Sequence, residues 1–243
     1  MKQIVKATVI ALSCLALSSA LVSGAGTPAR AEPMPAGVVV AMAGDSITDG
    51  HYEVAGNPYA WWRDGYVVRS FARICGMYCG SQVVKYAHGG GCLAATDCAG
   101  PPATTWFVSE VLKGTPRPTT VILELGWNDL GRISDATFTA AVVQLRSAAF
   151  AYGVALIMGT VNPSCHTRPA WAAFEPQRNR WNRWIRDNFG ADTVDFDAML
   201  RVGDGSLNPA YAMDGCKSGT DFVHPGPLGA VRMADMLPLA RIR

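Results

Sequence analysis

Six consecutive residues, Val38-Val39-Val40-Ala41-Met42-Ala43, form an unbroken apolar run that stops at Gly44-Asp45. Such a run has no solvent-facing side. Both of its faces must be covered, which is the situation of a strand inside a parallel sheet. Similar runs recur at Gln82 to Tyr86, Thr120 to Leu125, Val154 to Gly159 and, more weakly, Thr193 to Phe196. Between them lie segments that can be helices: Tyr59 to Cys75, Thr105 to Lys113, Asp135 to Tyr152, Ala170 to Asn188 and Pro227 to Leu239. In the third, Phe138, Ala141, Val142, Leu145 and Ala149 recur at three- and four-residue spacing, the stripe of a helix that covers a sheet. Strands alternating with helices predict right-handed crossovers and an α/β fold, a three-layer α/β/α sandwich around a five-stranded parallel sheet.

In such a sheet a site forms beyond the carboxyl ends of the strands. The polar motifs fall there. The first run ends in Gly44-Asp45-Ser46, the second in His88-Gly89-Gly90-Gly91 and the third in Gly126-Trp127-Asn128-Asp129, while Asp221-Phe222-Val223-His224 enters the last helix.

The start of the chain, Met1 to Val22, combines Lys2 and Lys6 with a short apolar stretch, and Ala29-Arg30-Ala31 offers a small-x-small cleavage site. Residues 1–31 are therefore expected to be a secretory signal peptide, cleaved near Ala31, with residues 32–243 as a single domain. Removing Lys2, Lys6 and Arg30 from 21 basic residues leaves 18 against 19 acidic ones. No basic stripe remains for nucleic acid or an anionic membrane, which argues against both as partners and favours small neutral substrates; a monomer without a stable membrane anchor is expected.

Beyond the leader the chain has six cysteines, and an even number in an exported protein reads as disulfides. The alternative, a zinc site at Cys165-His166 or Cys75 and Cys79, lacks the two-residue spacing of zinc knuckles, and neither metal nor cofactor is expected. Neighbours in sequence are the expected partners: Cys75 with Cys79, Cys92 with Cys98, and Cys165 with Cys216. The last pair follows from position, since Cys165 succeeds the fourth strand and Cys216 precedes the Asp221-to-His224 loop, both at one edge of the sheet.

Covalent ester hydrolysis needs an exposed nucleophile, a base, a group that orients the base, and donors for the oxyanion. Ser46 can be that nucleophile or a helix N-cap. Asp221 and His224 are three residues apart, a spacing that puts both on one side of a helical turn, where the carboxylate can accept the imidazole Nδ1 proton. A surface His and a capping Asp is the alternative. Asn128 can be an oxyanion donor or a turn residue, and Gly90 can bring a backbone N–H close to substrate or mark a tight turn.

Taken together, Gly44-Asp45-Ser46-Ile47-Thr48-Asp49-Gly50, Gly126-Trp127-Asn128-Asp129 and Asp221-Phe222-Val223-His224-Pro225 resemble three blocks of the SGNH (GDSL-type) hydrolases, in the family's order. The resemblance spans about residues 38–240. It implies the flavodoxin-like SGNH fold, Ser46 as nucleophile, His224 as base, Asp221 orienting it, and an oxyanion hole of the Ser46 N–H, the Gly90 N–H and the Asn128 side chain. The second block departs from the family, which has an Asn where this chain reads Tyr-Ala-His-Gly-Gly after Lys85. His88-Gly89-Gly90-Gly91 also resembles an oxyanion motif of α/β-hydrolases, but those place a GxSxG elbow downstream, and none is present.

Asp45, beside the nucleophile, and Trp127, inside the third block, are the expected substrate contacts. The Ile47-Thr48 form of the first block and the His224-Pro225 ending resemble secreted carbohydrate esterases. The composition, size and six cysteines also resemble secreted lipases and esterases. A general esterase or lipase acting on a small-molecule or polysaccharide ester is thus the expected activity, carbohydrate O-deacetylation the runner-up, and a non-catalytic binding module on the same scaffold a third reading.

Overall fold

The computed structural model describes residues 37–50, 66–77, 80–165, 172–217 and 223–243. The leader, Asp221 and the Cys75 to Cys79 pairing lie outside the described residues.

The five expected strands form one parallel sheet: β1 (Val39–Gly44), β2 (Gln82–Ala87), β3 (Thr120–Glu124), β4 (Ala155–Gly159) and β5 (Thr193–Val194), in the order β2-β1-β3-β4-β5. Alternation along β1 divides the interior. Val39, Ala41 and Ala43 join a core with Trp106, Phe107, Phe138, Leu145, Trp181 and Ile185, whereas Val38, Val40 and Met42 join another with Tyr66, Ile74, Phe196, Leu200 and Met233. One face is therefore covered by α3 (Ala103–Trp106), α4 (Asp135–Ala151) and α5 (Glu175–Phe189). The other is covered by α2 (Tyr66–Met77), α6 (Phe196–Leu200) and α7 (Pro227–Asp235). This is the three-layer sandwich expected from the continuous apolar runs.

Where elements differ from expectation, a local cause is visible. Fifth-strand pairing ends at Val194 because the Asp195 side chain accepts from the Ala198 N–H and starts α6. The second helix starts at Ala103 and turns at Phe107 into a π-helix, Phe107–Leu112, with Lys113 N–H donating to the Val108 carbonyl five residues back. Helix α5 begins at Glu175, with Pro176 in its first turn. Helix α4 runs as expected from the Ser134 cap, and its Phe138 ring stacks on Trp181 with centroids 4.1 Å apart. Removing such a buried aromatic costs about 3–5 kcal/mol.

Two disulfides join described residues, Cys92 to Cys98 and Cys165 to Cys216, both as expected. Among the described residues, no helix is long and apolar enough to cross a membrane.

Candidate active site

Register brings the motifs level. Gly44, the last residue of β1, pairs with Ala87 of β2 on one side and Glu124 of β3 on the other. The segments after these three strands therefore emerge at one edge of the sheet, and each carries one of the motifs.

After β1 the chain turns into a single helical turn, α1 (Ser46–Asp49). Its cap is Asp45, whose Oδ1 accepts from the Ile47 N–H at 2.9 Å. The capping role, the alternative for Ser46, therefore belongs to its neighbour. Gly44 is required at the strand end, since a Cβ there would collide with Thr48 Oγ1 and the Glu124 carbonyl.

The Ser46 Oγ lies 2.8 Å from His224 Nε2. The loop carrying His224 is tied down by backbone bonds: Met213 N–H to the His224 carbonyl at 3.1 Å, Gly226 N–H to the Tyr211 carbonyl at 2.7 Å, and a bridge between Ala212 and Pro225. The segment that holds it, residues 207–217, is anchored in turn to the segment that follows β4 by Cys165–Cys216 and by the Leu207 N–H on the Ser164 carbonyl.

Asn128 follows β3 through Gly126, whose φ of 119° only glycine adopts readily. Its Nδ2 donates to the Gly91 carbonyl at 2.8 Å and to Asp45 Oδ2 at 3.1 Å. The side chain thus spans the first and second motifs and is held against Asp45, the residue before Ser46. Gly90 has φ 68°, and a Cβ there would stand 2.9 Å from that of Ala99, so both backbone and space demand glycine.

Asp129, the next residue, is fully buried and accepts three backbone N–H groups, from Leu93 at 2.6 Å and from Ala94 and Ala95 at 2.9 Å each. Those donors lie inside the loop closed by Cys92–Cys98. Burial raises the Asp129 carboxyl above its usual range while the three N–H groups oppose the rise. On the far side of the glycines, His88 is buried against Trp106, with ring centroids 4.6 Å apart and Nε2 3.0 Å from Glu110 Oε2.

The two expected substrate contacts are placed inside the protein. Asp45 is fully buried, and burial pushes its carboxyl up to about 7, opposed by the Ile47 N–H and by His224. Trp127 is 6% exposed within the core on the α4 side. Asp45 turns inward because its carboxyl caps α1 and accepts from Asn128, and Trp127 because its ring packs among the apolar side chains of that core. Glu124, Asp129, Thr48 and Tyr66 escaped the sequence reading. A charged residue within the apolar run Thr120 to Leu125 was the available signal for Glu124. Among the described residues, no group of three His, Cys, Asp or Glu side chains is placed to hold a metal ion.

The parallel sheet thus presents Ser46 just past an interior strand, within hydrogen-bond reach of a histidine from the last loop. The chain belongs to the GDSL-like lipase/acylhydrolase family, whose profile matches residues 42–232, and it is an ester hydrolase. Solved structures with the same fold include an acetyl xylan esterase from Geobacillus stearothermophilus, 19% identical over 86% of this chain and 97% of that one, with TM-score 0.61. A carbohydrate acetylesterase from Sinorhizobium meliloti is 13% identical over 83% of this chain and 97% of its own, with TM-score 0.64. The aryl esterase of M. smegmatis is 12% identical over 83% and 97%, with TM-score 0.63. No curated protein sequence shows significant similarity.

Proposed function

We propose that this protein is a secreted serine esterase that cleaves acyl esters through a covalent acyl-enzyme, with Ser46 as nucleophile and His224 as base. The observation that carries the reading is the 2.8 Å approach of Ser46 Oγ to His224 Nε2 at the carboxyl end of β1. In this mechanism the hydroxyl proton passes to Nε2 as Oγ attacks the acyl carbon. The protonated imidazole then donates to the departing alkoxide. Water repeats the sequence on the acyl-enzyme, with His224 again as base, and releases the carboxylic acid.

Asp221 holds the imidazole Nδ1 proton in this proposal, and the oxyanion is received by the backbone N–H groups of Ser46 and Gly90 and by Asn128 Nδ2. Both Asn128 amide protons face acceptors in the free enzyme, Asp45 and Gly91. The bond to Asp45 is the longer, so this is the donor that turns toward the oxyanion when substrate arrives. Export through a cleaved leader of residues 1–31 is supported by the two disulfides, which persist in oxidising compartments.

Carbohydrate O-deacetylation is a second reading, supported by the acetyl xylan esterase and the carbohydrate acetylesterase that share the fold. Initial rates on p-nitrophenyl esters from acetate to palmitate, beside acetate release from acetylated xylan, test both. A preference for acetate with release from xylan selects the second reading. Hydrolysis that survives Ser46→Ala would overturn the proposed mechanism itself.

A further inference from the structure

Four carboxyl side chains among the described residues are wholly buried: Asp45, Glu124, Asp129 and Asp197. Three have partners suited to a charge. Asp197 meets the guanidinium groups of Arg178, Arg186 and Arg201. Asp129 takes three backbone N–H groups, and Asp45 takes the Ile47 N–H and the Asn128 amide. Glu124 differs. Its Oε2 accepts one hydroxyl, from Thr48 Oγ1 at 3.0 Å, and its Oε1 is buried with no partner at all.

A carboxylate with one neutral donor and no cation is costly to keep in the interior, where an unpaired charge is driven to neutralise. The acid stands at the end of β3, level with Gly44 of β1. It faces Asp45 from the turn after β1, Thr48 from α1 and Tyr66 from α2, whose OH is 3.0 Å from Thr48 Oγ1. The hydroxyls form a chain, with Tyr66 O–H donating to Thr48 and Thr48 donating to Glu124. Thr48 lies two residues from Ser46 and packs against Gly44, so whatever fixes Thr48 fixes the turn that carries the nucleophile.

We propose that Glu124 is a positioning residue of the hydrolysis. As a neutral carboxylic acid it anchors Thr48, and with it the Asp45-Ser46 turn, leaving Asp45 as the member of the pair that ionises first. The order of ionisation agrees, since burial and then the Asp45 charge push Glu124 well above its usual range, whereas Asp45 is raised to about 7. The other groups that act on Asp45 are His224 from the last loop and Asp129 from the turn after β3. This inference rests on Ser46 being the nucleophile.

The test uses Glu124→Gln, Glu124→Met and Thr48→Val, with kcat, KM and the pH profile of kcat/KM on p-nitrophenyl acetate. Glu124→Gln, a neutral isostere that still accepts from Thr48, is expected to keep kcat within about threefold of wild type and to leave the acid limb in place. Glu124→Met fills the space without an acceptor and is expected to lower kcat about tenfold or more with KM within about twofold, as is Thr48→Val. The double variant should be no worse than either single one. Wild-type kcat in folded Glu124→Met or Thr48→Val would overturn the proposal. So would an acid limb that moves down by about half a unit or more in Glu124→Gln, because that means Glu124 carries a charge. If Glu124→Met does not fold, Thr48→Val decides. Activity surviving in Ser46→Ala breaks the nucleophile assignment instead, and the two failures are thereby distinguished.

Discussion

Ser46 and His224 stand 178 positions apart in the chain and 2.8 Å apart in the fold. The separation means that the pair exists only when the β1 turn and the final loop are both in place, so chemistry and tertiary order are linked. Ser46→Ala and His224→Ala should each lower kcat by about 10⁴ or more with unchanged circular dichroism, and the double variant should lose no more than either alone. Additive losses would show that the two residues do not act as a unit.

Asn128 and Asp129 are adjacent but should fail differently. Asn128→Ala is expected to reduce kcat by about 10² to 10³ with a small change in KM, as for an oxyanion donor. Asp129→Ala strands three N–H groups, two of them on buried residues and each of those costing about 1–3 kcal/mol, and should lower the unfolding midpoint sharply. Urea titrations beside steady-state kinetics separate the two. A stable Asp129→Ala protein would contradict the clamp.

Asp45 ties stability to pH. Its carboxyl is raised from 3.8 to about 7 in the fold, so the folded state retains a proton that the unfolded chain has already released. The stabilisation is complete below about pH 4 and is lost as pH rises through about 7. The wild-type melting temperature minus that of Asp45→Asn should therefore fall between pH 4 and pH 8. A difference that stays constant, or grows, would show that Asp45 is not held protonated in that window.

The two disulfides should separate stability from catalysis. Cys165–Cys216 spans 51 positions, for which loop closure is worth about 4 kcal/mol, against about 2 for the six-position span of Cys92–Cys98. The long bridge anchors the segment that holds His224. The paired change Cys165→Ser with Cys216→Ser should lower both the melting temperature and kcat. Peptide mapping of the non-reduced protein checks the connectivity, and a peptide joining Cys165 to another partner would end this account.

Much was legible in the chain because the signals were local. An apolar run without alternation requires burial on both faces, so Val38 to Ala43, Thr120 to Leu125 and Val154 to Gly159 announced interior strands, and the 3.6-residue stripe from Phe138 to Ala149 announced the helix covering them. Ser46 and Asn128 were legible as motifs of a few residues at strand ends, His224 as one in the loop before the last helix, and the pairing of Cys165 with Cys216 from their common edge. Tertiary structure decided what depends on long-range packing. It gave the cap to Asp45 and left Ser46 facing His224, it buried Trp127, and it gathered Asp45, Thr48, Tyr66 and Glu124 into one hydroxyl and carboxyl chain. Neither Glu124 nor Asp45 carries its ionisation in its own neighbourhood of sequence. That property arises from removing water and bringing together an acid at the end of β3 and one in the turn after β1, which only the assembled sheet accomplishes.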